Sequence, residues 1–272
     1  MTSYLIAGHL AEDVTVDGRR PGGTARYAAM AAAGLGCRVR LVTAGPQAGV
    51  SLPPVEAQVV PSPCATTFDI SWADGRRDLR LLARASELHD HDIPISWRDS
   101  DIWHLGPIAG ELDVDMLDAV PEEAFLGITP QGWMRSLRLG EVVRPAPWLA
   151  ADRFVDRAQA VVFSEEDLQA AGSCAARWSS RGCVVVVTAG RSGSTVYQAG
   201  RAAHVDAFVR SRLDPVGAGD AYAAAFFIRL RQGEDPVRAA RFASAAAALA
   251  PTDTDDQGFP SVSEVLRLLG SE

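Results

Sequence analysis

The sequence predicts one α/β domain: a mainly parallel sheet covered by helices, with an antiparallel β-hairpin appended. Three patterns predict it. After Pro94, short and nearly continuous apolar runs alternate with helical segments, as expected of strands buried on both faces. From about Val55 to Ala85 the period changes to two, the pattern of half-solvated antiparallel strands. No internal repeat or low-complexity linker divides the 272 residues, and a chain of that length buries a sizeable core unaided.

The elements follow in order. "YLIAG" reads as a buried strand ending in glycine, and "TARYAAMAAAGLG" as an alanine-rich helix closed by Gly36. "RVRLVT" and "VEAQVV" are the next strands. In "TTFDISWADGRRDLRLLARA", Phe68, Ile70 and Trp72 share one face and Asp74-Gly75 supplies a hairpin turn. "DIWHLG", "AFLGITP", "AVVFS" and "CVVVVTAG" are core strands, with helices expected in "ELDVDMLDAV", "EEDLQAAG" and "SCAARWSSRG". "STVYQ" and "AAHVDAF" form a further pair of strands. One helix runs to about Arg231, and another starts at Asp235-Pro236 and stops before Pro251.

Composition excludes several functions. A net charge of −8 and a pI near 5.2 leave no basic face for nucleic acid. No apolar run approaches the length of a membrane span, and the amino terminus lacks a signal-peptide pattern. Cys37, Cys64, Cys174 and Cys183 show no CxxC spacing and read as reduced thiols of a cytoplasmic protein. The chain contains no lysine and no asparagine; all 26 basic residues are arginine. A phosphate loop of the GxxxxGK[ST] type, a protein-kinase lysine and Schiff-base chemistry are therefore excluded.

"DPVGAGD", residues 214–220, opens the apolar helix "AYAAAFFIRL". Read alone it is either an ordinary helix start, with Asp220 complementing the dipole, or a phosphate cradle with a base beside it. In the second reading Gly217 and Gly219 let backbone approach a ligand, and first-turn amides face the phosphate. Asp220 then takes the proton of a substrate hydroxyl as phosphoryl transfers.

"DPVGAGDAYAAAF" resembles the carboxy-terminal signature of the ribokinase-like (PfkB) carbohydrate kinases, usually D-T-x-G-A-G-D. Four further segments are similar to that family in the same order: "AGHLAED", "PGGTARYAAMAAAGLG", "VVFSEEDL" (N-x-x-E in the family) and "VVVTAGRSGSTVY". The resemblance implies a ribokinase-like three-layer sandwich with a Rossmann-like central sheet and a small β-lid, from strands around 13–19 and 64–84. It implies Asp220 as catalytic base, with the amides of Gly217, Ala218 and Gly219 as anion hole. Asp13, Gly22, Gly23 and Tyr27 match the substrate side. Ser164, Asp167, Thr188 and Gly190 match the nucleotide side. Asp214 and Val216 match positions whose backbone oxygens bind a monovalent cation such as K+. ATP and Mg2+ are the implied cofactors, and the implied partner is a sugar-like or cyclitol substrate, on a cytoplasmic monomer or homodimer.

The chain departs from that pattern at defined places. Tyr27 stands where the family has asparagine, Ser164 and Asp167 replace the asparagine and glutamate of N-x-x-E, and Pro215 replaces threonine. The G-x-D-x-x-G segment after the second strand is missing. "TPQGWMR" and the D-P-x-G-A-G-D form look more like a branch allied to inositol and other cyclitol kinases, with Gln131 and Arg135 as candidates to face the cleft or to form a plain strand-end turn. Two other readings stand beside this one: a kinase of a nucleoside or other small alcohol, and a catalytically weak sugar- or nucleotide-binding sensor, for which Ser164 and Asp167 argue.

Elsewhere the residues read more plainly. "HDHD" at 89–92 is a solvated loop, and "TDTDDQG" at 252–258 lacks the ligands of a calcium loop and is expected near the nucleotide base. His9 is equally a ligand contact or a strand-end residue, and His104 a packing residue.

Overall fold

The computed structural model describes residues 1–46, 52–73, 76–167, 174–208, 217–251 and 258–270. The chain opens with β1 (Ser3–Ala7), β2 (Ala11–Thr15) and β3 (Gly18–Gly22), then α1 (Thr24–Gly34). β4 (Arg38–Gly45) and β5 (Glu56–Pro61) follow, then the hairpin strands β6 (Thr66–Ala73) and β7 (Arg76–Ala83). Next come β8 (Ile102–Leu105), β9 (Phe125–Ile128) and the two-residue strands β10 (Arg135–Ser136) and β11 (Arg144–Pro145). The last part runs α2 (Ala151–Val155), β12 (Ala160–Ser164), α3 (Cys174–Ser179), β13 (Val184–Thr188), β14 (Ser194–Gln198) and β15 (Arg201–Val205). It ends with α4 (Ala218–Arg231), α5 (Pro236–Ala248) and α6 (Val262–Leu269).

Nine strands form one sheet in the order β15-β14-β13-β12-β9-β8-β1-β4-β5. Only the β13-β14 and β14-β15 pairings are antiparallel. From β1 the chain builds outward through β4 and β5, then returns to the other side of β1 with β8 and continues to β13. That reversal separates the connections beyond the carboxyl ends of β1 and β8, and opens a crevice there.

Side chains alternate along each strand, so β1 feeds two cores. Tyr4 and Ile6 pack under α1, α4 and α5, while Leu5 and Ala7 face the layer that contains α2 and α3. Alanine fills the contact faces of α1, α4 and α5, which brings these helices close together. Gly127 of β9 goes further: a Cβ there would stand 2.5 Å from the Phe227 ring of α4. That missing methyl seats α4 directly on the sheet.

A second sheet, β3-β2-β6-β7, holds the strands expected around 13–19 and 64–84. Its inner face buries Phe68 and Leu81 against Ala11, Ile108 and Ala109. Residues 135–145 form a strap across its edge: Gly140 N–H donates to Leu81 O and Val143 N–H to Leu79 O, both at 2.7 Å.

Some expectations need correction. "ELDVDMLDAV" does not make an α-helix; only Val114–Ala119 winds, as a 3-10 helix capped by Asp113. Its buried residues, Met116 and Ala119, are three apart, the spacing that eclipses in a 3-10 helix, and Pro121 ends the segment. "EEDLQAAG" begins as a 3-10 turn, Glu165–Asp167, and its remainder lies outside the described residues. So do the Asp74-Gly75 turn, residues 252–257, Asp214 and Val216, and the placement of the Trp72 side chain. Helix α6 was not expected, although Ser261 and Glu264 form a capping box readable in the sequence. All four cysteines are free, with Cys174 and Cys183 buried. Among the described residues no helix is long and apolar enough to cross a membrane.

Candidate active site

Gly217 opens α4 in the left-handed region at φ 78, and among the described residues no side chain caps the helix. Its conformation and its surroundings both demand glycine: a Cβ would stand 2.4 Å from the Tyr27 ring. Gly219 is different. It is exposed in the first turn, and among the described residues a Cβ there would meet nothing within 4 Å. The uncapped first-turn amides and the space over Gly219 together suit an anion.

Asp220 sits in that same turn, partly accessible to solvent yet surrounded by enough protein that burial pushes its carboxyl up to about 6. A hydrogen bond from Thr24 and the charge of Arg135 pull it back down. Thr24 is buried at the first position of α1, so two helix amino termini converge on this carboxyl. Gly106, after β8, lets Thr24 approach: a Cβ there would lie 2.9 Å from Thr24 Cγ2 and 3.2 Å from Thr129 Oγ1. Beneath, His104 Nδ1 pairs with the Tyr4 hydroxyl at 2.9 Å and Nε2 with Thr129 Oγ1 at 2.8 Å. Burial pushes this imidazole down to about 3, so it is a neutral packing group.

Asp13, on β2, lies against the turn after β3: a Cβ on Gly22 would stand 2.4 Å from Asp13 Oδ2. At Gly23, φ 94, a Cβ would stand 2.8 Å from His9 O and 3.0 Å from Ala11 N. His9 is fully buried and spans from the crevice to the root of the hairpin. Its Nε2 donates to Ser86 O at 2.9 Å, so Nδ1 accepts from Thr66 Oγ1 at 2.7 Å. Thr66 Oγ1 also accepts the Ala85 amide at 3.0 Å. Glu111, also buried, accepts the amides of His9, Ile108 and Ala109 at 2.8, 3.1 and 2.7 Å. Tyr27 lays its ring on Gly217, and its hydroxyl donates to Pro21 O at 3.3 Å.

On the other side lie the ends of β12 and β13. Ser164 Oγ accepts the Glu166 amide at 3.2 Å, and Thr188 Oγ1 donates to Phe163 O at 3.4 Å. Gly190, at φ 53, has no described residue within 4 Å of a would-be Cβ. Asp167 is buried and ion-paired: Arg135 brings both Nε and Nη2 to its Oδ1, each at 3.0 Å. Burial raises the Asp167 carboxyl and the Arg135 charge lowers it. Of the two side chains considered in "TPQGWMR", Arg135 thus engages this region. Sequence reasoning missed Thr24 and Glu111. Thr24 had a readable signal, a hydroxyl directly after the di-glycine at a helix start. Glu111 had none, since its partner His9 is 102 positions away. A cavity of about 340 Å³ near Trp133, Trp148 and Phe154 contains none of the residues expected in the site.

Comparison with known proteins adds to this geometry. Residues 154–261 match the family model "pfkB family carbohydrate kinase". A cytidine kinase of Thermococcus kodakarensis is 24% identical over 255 residues, 86% of this chain and 90% of that protein. Among solved structures, a pyrophosphate-dependent kinase in the ribokinase family, complexed with a pyrophosphate analog and myo-inositol, superposes with a TM-score of 0.79 at 20% identity, covering 97% of this chain and 99% of that one. A ribokinase II from E. coli in complex with ATP and Mg2+ gives 0.73 at 16% identity over the whole of both chains.

Proposed function

We propose that this chain is a kinase of the pfkB carbohydrate kinase type, on the match of residues 154–261 to that family model, and that it transfers the γ-phosphoryl group of ATP to a hydroxyl of a sugar or cyclitol, with Asp220 as base. The observation that carries the reading is Asp220 itself. A carboxyl raised to about 6 stands one residue beyond an uncapped glycine cradle, where a base for an alcohol is needed.

Asp220 accepts the proton of the acceptor hydroxyl, whose oxygen then forms the new bond to phosphorus. The amides of Gly217, Ala218 and Gly219 hold the charge on the transferring group. Asp13 grips further hydroxyls, with Gly22 and Gly23 leaving room for a ring against backbone. The sheet β3-β2-β6-β7 acts as the lid that excludes water. Ser164, Thr188 and Gly190 line the donor side, where the open space at Gly190 and Gly219 suits phosphates. Glu165, Glu166 and the second oxygen of Asp167 are the acidic groups available to Mg2+ through water, a mode that needs no protein cage. Bound Mg2+ supplies neutralisation of charge on the donor phosphates.

The match to a cytidine kinase over most of the chain favours a second reading, a nucleoside acceptor. One experiment separates the two. ATP consumption with Mg2+ is measured against pentoses, hexoses, inositols and nucleosides, beside Asp220→Asn. Turnover with one acceptor that falls by about a thousandfold in the variant supports a kinase and names its substrate class. ATP bound without turnover on any acceptor leaves only the sensor.

A further inference from the structure

Asp167 occupies a position where the family pattern has the glutamate of N-x-x-E, yet its Oδ1 is committed to Arg135. Arg135 is itself only 17% exposed, and a guanidinium is a planar fork of five N–H donors. One edge of the fork, Nε and Nη2, is held by Asp167; among the described residues Nη1 has no protein acceptor. The same guanidinium lies close enough to Asp220 to stabilise that carboxylate.

A single cation is thus ion-paired with Asp167 and, through its charge, lowers the Asp220 carboxyl. A phosphoryl group entering between Asp167 and Asp220 would otherwise meet two like charges, and the chain has no lysine to offset them. Arg135 also does not hang from a free loop. Its strand β10 begins the strap that Gly140 and Val143 tie to Leu81 and Leu79 of β7.

We propose that Arg135 is a phosphoryl-contacting residue of this site, its free guanidinium edge donating to the non-bridging oxygens of the transferring group, with Asp167 as the positioning residue that aims it. The inference rests on the phosphoryl-transfer reading above. The transfer balances without a proton from Arg135. The hydroxyl proton passes to Asp220, the hydroxyl oxygen forms the new P–O bond, and the bond from phosphorus to the donor's bridging oxygen breaks, its electron pair leaving with the donor. Because the strap is bonded to β7, the position of the acceptor-side sheet and that of Arg135 are linked.

The test uses the full chain and two readouts: kcat and KM for donor and acceptor, and binding of inorganic pyrophosphate by calorimetry. Arg135→Gln is expected to lower kcat about a hundredfold with little change in the acceptor's KM, and to weaken pyrophosphate binding about tenfold. Arg135→Lys keeps the charge without the fork and recovers part of the kcat loss. Asp167→Asn lowers kcat about tenfold while the acceptor's KM holds, since Arg135 remains but is no longer aimed. Should Arg135→Gln lower the melting temperature sharply, the double variant Arg135→Gln/Asp167→Asn replaces the ion pair by a neutral pair of similar shape and decides the matter. Wild-type kcat and pyrophosphate affinity in whichever of the two folds would overturn the proposal. If no acceptor is phosphorylated by the parent chain, the functional reading falls, whereas a difference in pyrophosphate affinity between parent and variant still upholds the contact at Arg135.

Discussion

The two halves of the candidate site are held together by different physics. On the acceptor side, His9, Thr66, Ser86 and Glu111 form a closed set of buried hydrogen bonds, mostly to backbone. At Gly23 backbone atoms of His9 and Ala11 occupy the space a Cβ would need. On the donor side the central tie is one ion pair, Arg135 with Asp167, set among small polar side chains with long contacts. The acceptor half is specified by shape and the donor half by charge. A departure from the family's residue types is therefore easier to accommodate at Ser164 and Asp167 than at Gly22 or Gly23: a charge partner can be supplied from elsewhere in the chain, but a missing Cβ cannot.

The two glycines of the cradle divide the same way, and they give the largest expected contrast. Gly219→Ala keeps an allowed helical conformation and meets none of the described residues, so the melting temperature should hold or rise slightly while kcat/KM falls about a hundredfold. Gly217→Ala should instead lose stability, by about 1–2 kcal/mol for the left-handed backbone alone, before any displacement of Tyr27. Thermal melts and steady-state kinetics on the two variants check this; equal effects on both readouts would erase the division.

Glu111→Ala comes next. Three backbone amides lose their acceptor in a buried place, a loss of about 3 kcal/mol, and a thermal melt should show a drop of several degrees. A change of less than one degree would mean that the acceptor loop is not held as tightly as its hydrogen bonds imply.

The remaining effect concerns Asp220, vanishes at low pH and runs in the stabilising direction. Its carboxyl titrates near 6 when folded and near 3.8 when unfolded. Below the lower value both states are protonated and the group contributes nothing; as pH rises past 6 the unfolded state is favoured by the difference, on the order of 3 kcal/mol. Asp220→Asn should therefore melt higher than the parent at pH 7.5, with the gap closing as pH falls towards 4. Circular dichroism melts at several pH values measure it, and a gap independent of pH would place the cost elsewhere.

Much of the fold was legible because its signals are local. The apolar runs at 160–164 and 183–190, the period-two hairpin and the capped helix at Asp235-Pro236 each carry their own structure in a few residues. The helix expected at 111–120 failed for a local reason too, since three aspartates and a following proline give a short and poor helical segment. In the site, the cradle and Asp220 were readable because they are contiguous. Glu111 was not, because it acts across a hundred residues. Arg135 was visible as a candidate, but its partner Asp167 lies 32 positions on and only the folded chain pairs them.

The place of Asp220 is decided well away from the reaction. Phe227 lies seven residues further along α4, about 10 Å down the helix axis, and its ring fills the space a methyl group would take on Gly127. Aim is thus set like that of a key, by a notch at the far end of the shaft. Any residue larger than glycine at 127 would have to lift the helix from the sheet, and the displacement would be carried to the carboxyl two turns above. In this protein a hydrogen atom in the core, kept in place of a methyl group, is part of the address of the Asp220 carboxyl.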